Sequence, residues 1–199
     1  MITIIDYKSG NLKSIGNSFL KLGYDVKITS NPEEIADADY LVLPGVGVFG
    51  NIMENIKPFE KIIKEYILED KPFLGICSGL QVLFKESEES PEVEGLNVFK
   101  GKIKKIPEGR KIPHMGWNNL TLERNSPILT EDMDNKYFYF VHSYYANVDD
   151  NNIISATTNY SVKIPGAISQ NNCFATQFHP EKSGKFGLKI LKNFASLKK

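Results

Sequence analysis

The side chains best placed to do chemistry in this 199-residue chain fall in two short segments, Gly75-Ile76-Cys77-Ser78-Gly79 and His179-Pro180-Glu181. Cys77 follows an apolar run and has glycine at −2 and +2. A sharp strand-to-helix turn can present a nucleophile at a sheet end when its neighbours are small enough to pack closely. That is the logic of the G-x-S-x-G elbow, here with sulfur in place of oxygen. Helix N–H groups just beyond Cys77 would lower its pKa and meet an oxyanion. A thiol attacks as its thiolate, which calls for a neighbouring base and an acceptor that orients that base. His179 and Glu181, behind the apolar run Cys173 to Phe178, supply both, and Pro180 stiffens the link by fixing its own φ. The pentapeptide alone is equally compatible with a core cysteine between unrelated glycines. Joined by His-Pro-Glu in a chain with three histidines, it points to cysteine-based acyl transfer. A third segment, Pro44-Gly45-Val46-Gly47, follows another apolar run and could turn backbone N–H groups into a cleft as half of an oxyanion hole.

The elements that must position these groups are legible from periodicity. In the first half, apolar runs at Ile2 to Ile5, Tyr24 to Ile28, Tyr40 to Leu43 and Phe73 to Cys77 read as strands. Helical spacing joins Leu12, Ile15, Phe19 and Leu22, closed by Gly23, and Pro32 to Ala36 reads as a short helix. A long amphipathic stripe runs from Ile52 to Ile67 with a break or a helix start at Pro58, and Leu80 to Phe84 reads as the start of a further helix. Such alternation implies an α/β fold with a doubly wound, mostly parallel sheet. The second half reads as an added antiparallel sheet, with strands at Val98 to Ile106, Asn118 to Leu122, Tyr137 to Val141, Ile153 to Thr157, Ile164 to Ser169 and Cys173 to Phe178. Asn171-Asn172 signals a hairpin, and Phe186, Leu188, Ile190, Leu191 and Phe194 mark a last helix. The acidic stretch Glu86 to Glu94 reads as an exposed loop, and Lys192, Lys198 and Lys199 as a solvated helix end. Nothing cuts the chain, so residues 1–199 are expected to form one domain.

Composition narrows the function classes. Lys plus Arg and Asp plus Glu both number 24, so no basic excess supports nucleic-acid binding. Two cysteines are too few for a disulfide framework. Cys173, between apolar residues, reads as a packed free thiol. No apolar run approaches the ~20 residues needed to span a bilayer, and the start lacks a basic segment followed by a long apolar one. A cytoplasmic protein with no membrane role is expected. No spacing of Cys, His and carboxylates suits a metal.

The chain resembles the class I (triad) glutamine amidotransferases and, among them, the glutaminase subunits of imidazole glycerol phosphate synthase from histidine biosynthesis. The resemblance is carried by Ile5-Asp6-Tyr7-Lys8-Ser9-Gly10-Asn11-Leu12, Leu43-Pro44-Gly45-Val46-Gly47-Val48-Phe49, Gly75-Ile76-Cys77-Ser78-Gly79-Leu80-Gln81, Pro113-His114-Met115-Gly116-Trp117-Asn118, Tyr139-Phe140-Val141-His142-Ser143-Tyr144 and Gln177-Phe178-His179-Pro180-Glu181-Lys182-Ser183-Gly184. The elbow and His-Pro-Glu are shared across the superfamily; the opening motif and Pro-His-Met-Gly-Trp-Asn are more particular.

This resemblance implies a flavodoxin-like fold and a catalytic triad of Cys77, His179 and Glu181 that hydrolyses glutamine without a cofactor. It implies an oxyanion hole from the backbone N–H groups of Val46, after a rearrangement of its segment, and Ser78. Glutamine binding would fall to Gly47, Gln81, His142, Ser143 and Tyr144. Ammonia would pass to a (β/α)8 synthase subunit in a heterodimer, contacted by Asn11, Trp117, Tyr139 and Lys182, to form imidazole glycerol phosphate and aminoimidazole carboxamide ribotide. Low glutaminase activity of the free subunit is implied as well. Ser78 and Leu80 stand where the family commonly has Leu and Met, and Lys8 where it usually has Gly. These departures leave a second acceptor open, an enzyme building acetamidino groups on bacterial surface sugars. A non-catalytic assembly role is a third reading, against which the intact triad argues.

Overall fold

A computed structural model of the chain describes residues 1–8 and 10–198. Ser9 of the opening motif and Lys199 of the lysine-rich tail lie outside the described residues. The first half alternates β1 (Ile2–Ile5), α1 (Leu12–Lys21), β2 (Val26–Thr29), α2 (Pro32–Ala36), β3 (Tyr40–Leu43), α3 (Phe49–Ile56), α4 (Glu60–Leu68), β4 (Phe73–Ile76) and α5 (Ser78–Gln81). Strands follow: β5 (Phe84–Ser87), β6 (Phe99–Lys105), β7 (His114–Asn119), β8 (Thr121–Leu122), β9 (Tyr137–His142), β10 (Tyr144–Val148), β11 (Ile154–Tyr160), β12 (Val162–Gln170) and β13 (Cys173–Thr176). Helix α6 (Gly184–Ala195) closes the chain.

Among the described residues these strands form an eight-stranded sheet in the order β2-β1-β3-β4-β13-β12-β11-β8. From β2 to β13 every pairing is parallel, and from β13 to β8 every pairing is antiparallel. The second half therefore extends the main sheet, as well as building a three-stranded β10-β6-β5 sheet and the β7-β9 pair. The hairpin expected at Asn171-Asn172 joins β12 to β13, with Gln170 opposite Cys173.

Strand side chains alternate between faces, so each buried strand feeds two cores. Ile2, Ile4, Tyr40 and Val42 pack with Ile15 and Phe19 of α1 and Ile190, Leu191 and Phe194 of α6. Ile5, Leu41 and Leu43 pack on the other face with Ile35 of α2, Ile52 and Ile56 of α3, and Ile63 and Tyr66 of α4. Local signals set the boundaries. Asn31 caps α2 by accepting from the Glu33 N–H at 3.0 Å, with Pro32 in the first turn. Pro58 sits in a 3-10 turn, Lys57–Phe59, that separates α3 from α4. Gly23, just past α1, takes φ 84°.

Three readings of the sequence need correction. The helix expected over Leu80 to Phe84 is instead the single turn α5, and Phe84 opens a strand. The carbonyls of Val82 and Leu83 accept from the N–H groups of Leu96, Val98 and Phe99 rather than from residues further along a helix. That distant pairing buries Phe84 against Phe99. In the acidic stretch, Glu86 and Ser87 belong to β5, and Glu89 and Ser90, half-buried, turn to the start of α3. Glu89 Oε2 accepts from the Phe49 N–H at 2.8 Å and Ser90 Oγ from the Gly50 N–H at 3.0 Å, satisfying the start of α3. Finally, the strand expected at Asn118 to Leu122 is split between β7 and β8.

Candidate active site

Strands β3, β4 and β13 are adjacent and parallel, so their C-terminal ends lie side by side, where open α/β sheets place their sites. Cys77 comes directly off β4 with φ 55° and ψ −110°, a conformation L-residues avoid. The turn is held by the Cys77 N–H, which donates to the Thr176 carbonyl at 2.7 Å. The two flanking glycines are needed for space. A Cβ at Gly75 would stand 2.6 Å from the Gly79 oxygen, and one at Gly79 would stand 2.1 Å from the Leu43 oxygen. Gly45 is equally confined, with a Cβ 2.1 Å from the Gly79 nitrogen. The elbow and the Pro44–Gly47 segment are thus pressed backbone to backbone.

Beyond β13 the chain continues through Gln177 and Phe178 to His179. Its Nδ1 lies 2.8 Å from Glu181 Oε1, with both side chains fully buried. The carboxylate can only accept, so Nδ1 carries the proton. Nε2 is buried without a hydrogen-bond partner; the Cys77 thiol donates to the Val141 carbonyl at 3.7 Å and interacts electrostatically with the imidazole. Burial works against a charged imidazole, but hydrogen bonding and charge from Cys77 and then Glu181 outweigh it, and the His179 pKa is pushed up to about 9. Asn11 Nδ2 donates to the same Glu181 oxygen at 3.2 Å.

Cys77 and His179 open onto a cleft of about 360 Å³ lined also by Val46, Gly47, Ser78, Gln81, His142, Ser143 and Tyr144. That volume suits a small-molecule site, ~300–1,000 Å³. Every residue that the sequence assigned to the oxyanion or to glutamine is in this wall. Ser78 opens α5, where the first N–H groups have no partner within the helix. Its hydroxyl donates to the Gly47 carbonyl at 3.2 Å, tying the elbow to the Pro44–Gly47 segment. Gln81 Nε2 donates to the Tyr144 carbonyl at 2.9 Å and to Gln177 Oε1 at 3.2 Å, while Gln177 Nε2 faces Cys77 Sγ at 3.7 Å. A larger groove, of about 1070 Å³ along Leu122 to Asp134, contains neither cysteine nor histidine.

The residues assigned to a partner gather beside the triad. Lys182 Nζ stands 5.7 Å over the Tyr139 ring, which meets Trp117 edge-on at 6.2 Å. Trp117 is 56% exposed, with Met115 and Tyr137 on the same exposed side of β7 and β9. Asn11, assigned to the same face, also touches Glu181. Sequence reasoning missed Glu89, in the cleft wall, and Gln177, buried against Cys77. Gln177, a polar residue inside the apolar run Cys173 to Phe178, carried a usable signal. Glu89 carried none, since its role depends on where α3 begins. Cys173 is packed as expected, and burial pushes its thiol pKa up, away from reactivity.

Against known families, the chain is matched by the glutamine amidotransferase class-I family model. It matches residues 3–197, and the chain belongs to that family. The particular resemblance is closer still. The chain is 51% identical over 197 residues to "Imidazole glycerol phosphate synthase subunit HisH" of Methanothermobacter thermautotrophicus, covering 99% of this chain and 98% of that one. It is 48% identical over 197 residues to the protein of the same name from Methanocaldococcus jannaschii, covering 99% and 100%. Among solved structures, a glutamine amidotransferase superposes with TM-score 0.77 at 18% identity, covering 98% of this chain and all of that one. PurLQS from Thermotoga maritima gives 0.78 at 17%, covering 98% and 96%. These two likenesses bear on the fold alone. No helix among the described residues is long and apolar enough to cross a membrane.

Proposed function

We propose that this chain is the glutamine-hydrolysing subunit of imidazole glycerol phosphate synthase, a cytoplasmic protein of one glutamine amidotransferase domain paired with a (β/α)8 synthase subunit. The observation that carries the chemistry is the buried His179, held at Nδ1 by Glu181 and coupled electrostatically to a cysteine on a strained elbow. Cys77 gives its proton to His179 Nε2, and the thiolate attacks the side-chain carboxamide carbon of glutamine. The carbonyl oxygen gains the negative charge and is met by the N–H group of Ser78 and, after the Pro44–Gly47 segment rearranges, by that of Val46. As the tetrahedral species collapses, the C–N bond breaks and His179 delivers its proton to the departing ammonia. Water, deprotonated by His179, then adds to the thioester; the C–S bond breaks and glutamate leaves. Gln81 and the Gly47 and His142–Tyr144 backbones hold the amino-acid end of the substrate.

The acceptor reading is supported by the relatives at 51% and 48% identity over nearly the full chain, both named as subunits of this synthase. It is also supported by the exposed Trp117, set edge-on against the half-buried Tyr139 beside the triad. The test is glutamate release by the chain alone, with the barrel subunit, and with the barrel subunit plus its phosphoribosyl substrate. Low, intermediate and high rates are expected in that order. Equal rates in all three would contradict a partner-gated glutaminase.

A further inference from the structure

Two buried histidines outside the triad form a relay with a defined sense. His114 and His142 lie directly opposite in the β7–β9 pair. His142 Nδ1 lies 2.8 Å from the Tyr144 carbonyl, which can only accept, so this nitrogen carries the hydrogen. In a neutral ring its Nε2 is then bare and accepts from His114 Nδ1 at 3.0 Å. His114 Nε2 is bare in turn and accepts from Asn118 Nδ2 at 3.3 Å, while Asn118 also donates to the Asn159 carbonyl at 3.1 Å. One unbroken direction of donation runs from Asn118 to the Tyr144 carbonyl. A proton on either ring would set two N–H groups face to face. Burial, then the charge of Arg110, lowers the His114 pKa to about 4. Burial outweighs the bond to the Tyr144 carbonyl, so the His142 pKa falls to about 3. Both rings are neutral near neutrality.

The two ends of this relay matter for function. The Tyr144 carbonyl that accepts from His142 also accepts from Gln81, which bonds Gln177, which faces the nucleophile. The other end sits in a strand whose opposite face presents Met115 and Trp117 to solvent. His114 is clamped between Phe140 and Tyr160, with ring centroids at 4.8 and 4.0 Å and both pairs stacked. It cannot turn without moving the strand.

We propose that His114 and His142 are positioning residues for glutamine, tying the partner-facing β7–β9 pair to the carbonyl that fixes Gln81. The proposal rests on the glutaminase reading above and adds the device that sets its substrate subsite. Neither imidazole touches the reacting atoms.

The test uses the complex of this chain with its barrel subunit. His114→Phe keeps a ring between Phe140 and Tyr160 and deletes the N–H donated to His142. One such hydrogen bond is worth about a 3- to 10-fold rise in the KM for glutamine, with kcat within about two-fold of wild type. Labelling of Cys77 by the glutamine analogue 6-diazo-5-oxonorleucine slows by a similar factor, while labelling by iodoacetamide, which needs no subsite, keeps its rate. His114→Asn, which returns an amide N–H near the lost one, recovers most of the KM. Asn118→Ala serves as the second variant should His114→Phe not fold, and it too raises KM. An unchanged KM in these variants, a fall in kcat at constant KM, or parallel slowing of iodoacetamide would overturn the relay. A wild-type complex that releases no glutamate would overturn the underlying glutaminase reading instead.

Discussion

The backbone at Gly79 approaches the Leu43 carbonyl so closely that a Cβ on residue 79 would stand 2.1 Å from that oxygen. Leu43 ends the strand before Pro44–Gly47, and Gly79 lies two residues past Cys77. The spacing between the two proposed halves of the oxyanion hole is therefore set by a missing side chain. In Gly79→Ala the two segments must part. The loss expected from one displaced oxyanion donor is about 100-fold or more in kcat, accompanied by a lower Tm. Steady-state glutaminase assays and thermal melts check both; near-wild-type kcat would show that the contact is dispensable.

The pH profile should carry the signature of His179. With its pKa pushed up to about 9, the imidazole keeps its proton well above the ordinary value, and the alkaline limb of kcat/KM belongs near pH 9. Glu181→Gln removes one of the two groups that raise it. The limb should move to lower pH, and kcat should fall about 10- to 100-fold as the imidazole loses its fixed orientation. An unmoved limb would mean that Glu181 does not tune His179.

Acid stability should follow the histidine pair. His114 and His142 titrate at about 4 and about 3 in the fold, against 6.5 in a free chain. Between those values the unfolded chain binds more protons than the folded one, so stability falls as pH drops below 6.5. His179, raised instead, acts in the other window: its contribution is complete below 6.5 and is lost as pH rises toward 9. Urea titrations from pH 7 to pH 4 should show a slope approaching two protons, falling to about one in His114→Phe. A flat profile in wild type would contradict the neutral pair.

Trp117, exposed and edge-on to Tyr139, is the strongest anchor on the proposed partner face. Trp117→Ala should weaken binding of the barrel subunit by about 30-fold, the effect of a typical interface hot spot. Calorimetric titration measures it. An unchanged Kd would place the interface elsewhere.

Much of this was legible in the residues themselves. The small-residue flanks of Cys77 announced a close approach, which the contacts at Gly75 and Gly79 explain. The alternation of strands and helices up to Phe73 gave the parallel sheet, because each element there is stabilised by its own periodic face. Long-range pairing was not legible. Helix α5 ends after one turn because Leu96, Val98 and Phe99 take up the carbonyls of Val82 and Leu83. Likewise, Glu89 caps α3 from 40 residues away. The histidine relay was hidden for the same reason, since only the β7–β9 register sets His114 against His142.

The central claim is that Cys77 is the nucleophile, and glutamate release by the Cys77→Ala complex tests it most directly. Release should fall to the uncatalysed background, with Cys173→Ala close to wild type because that thiol is packed in the core. Turnover retained by Cys77→Ala, or lost only in Cys173→Ala, would contradict the account.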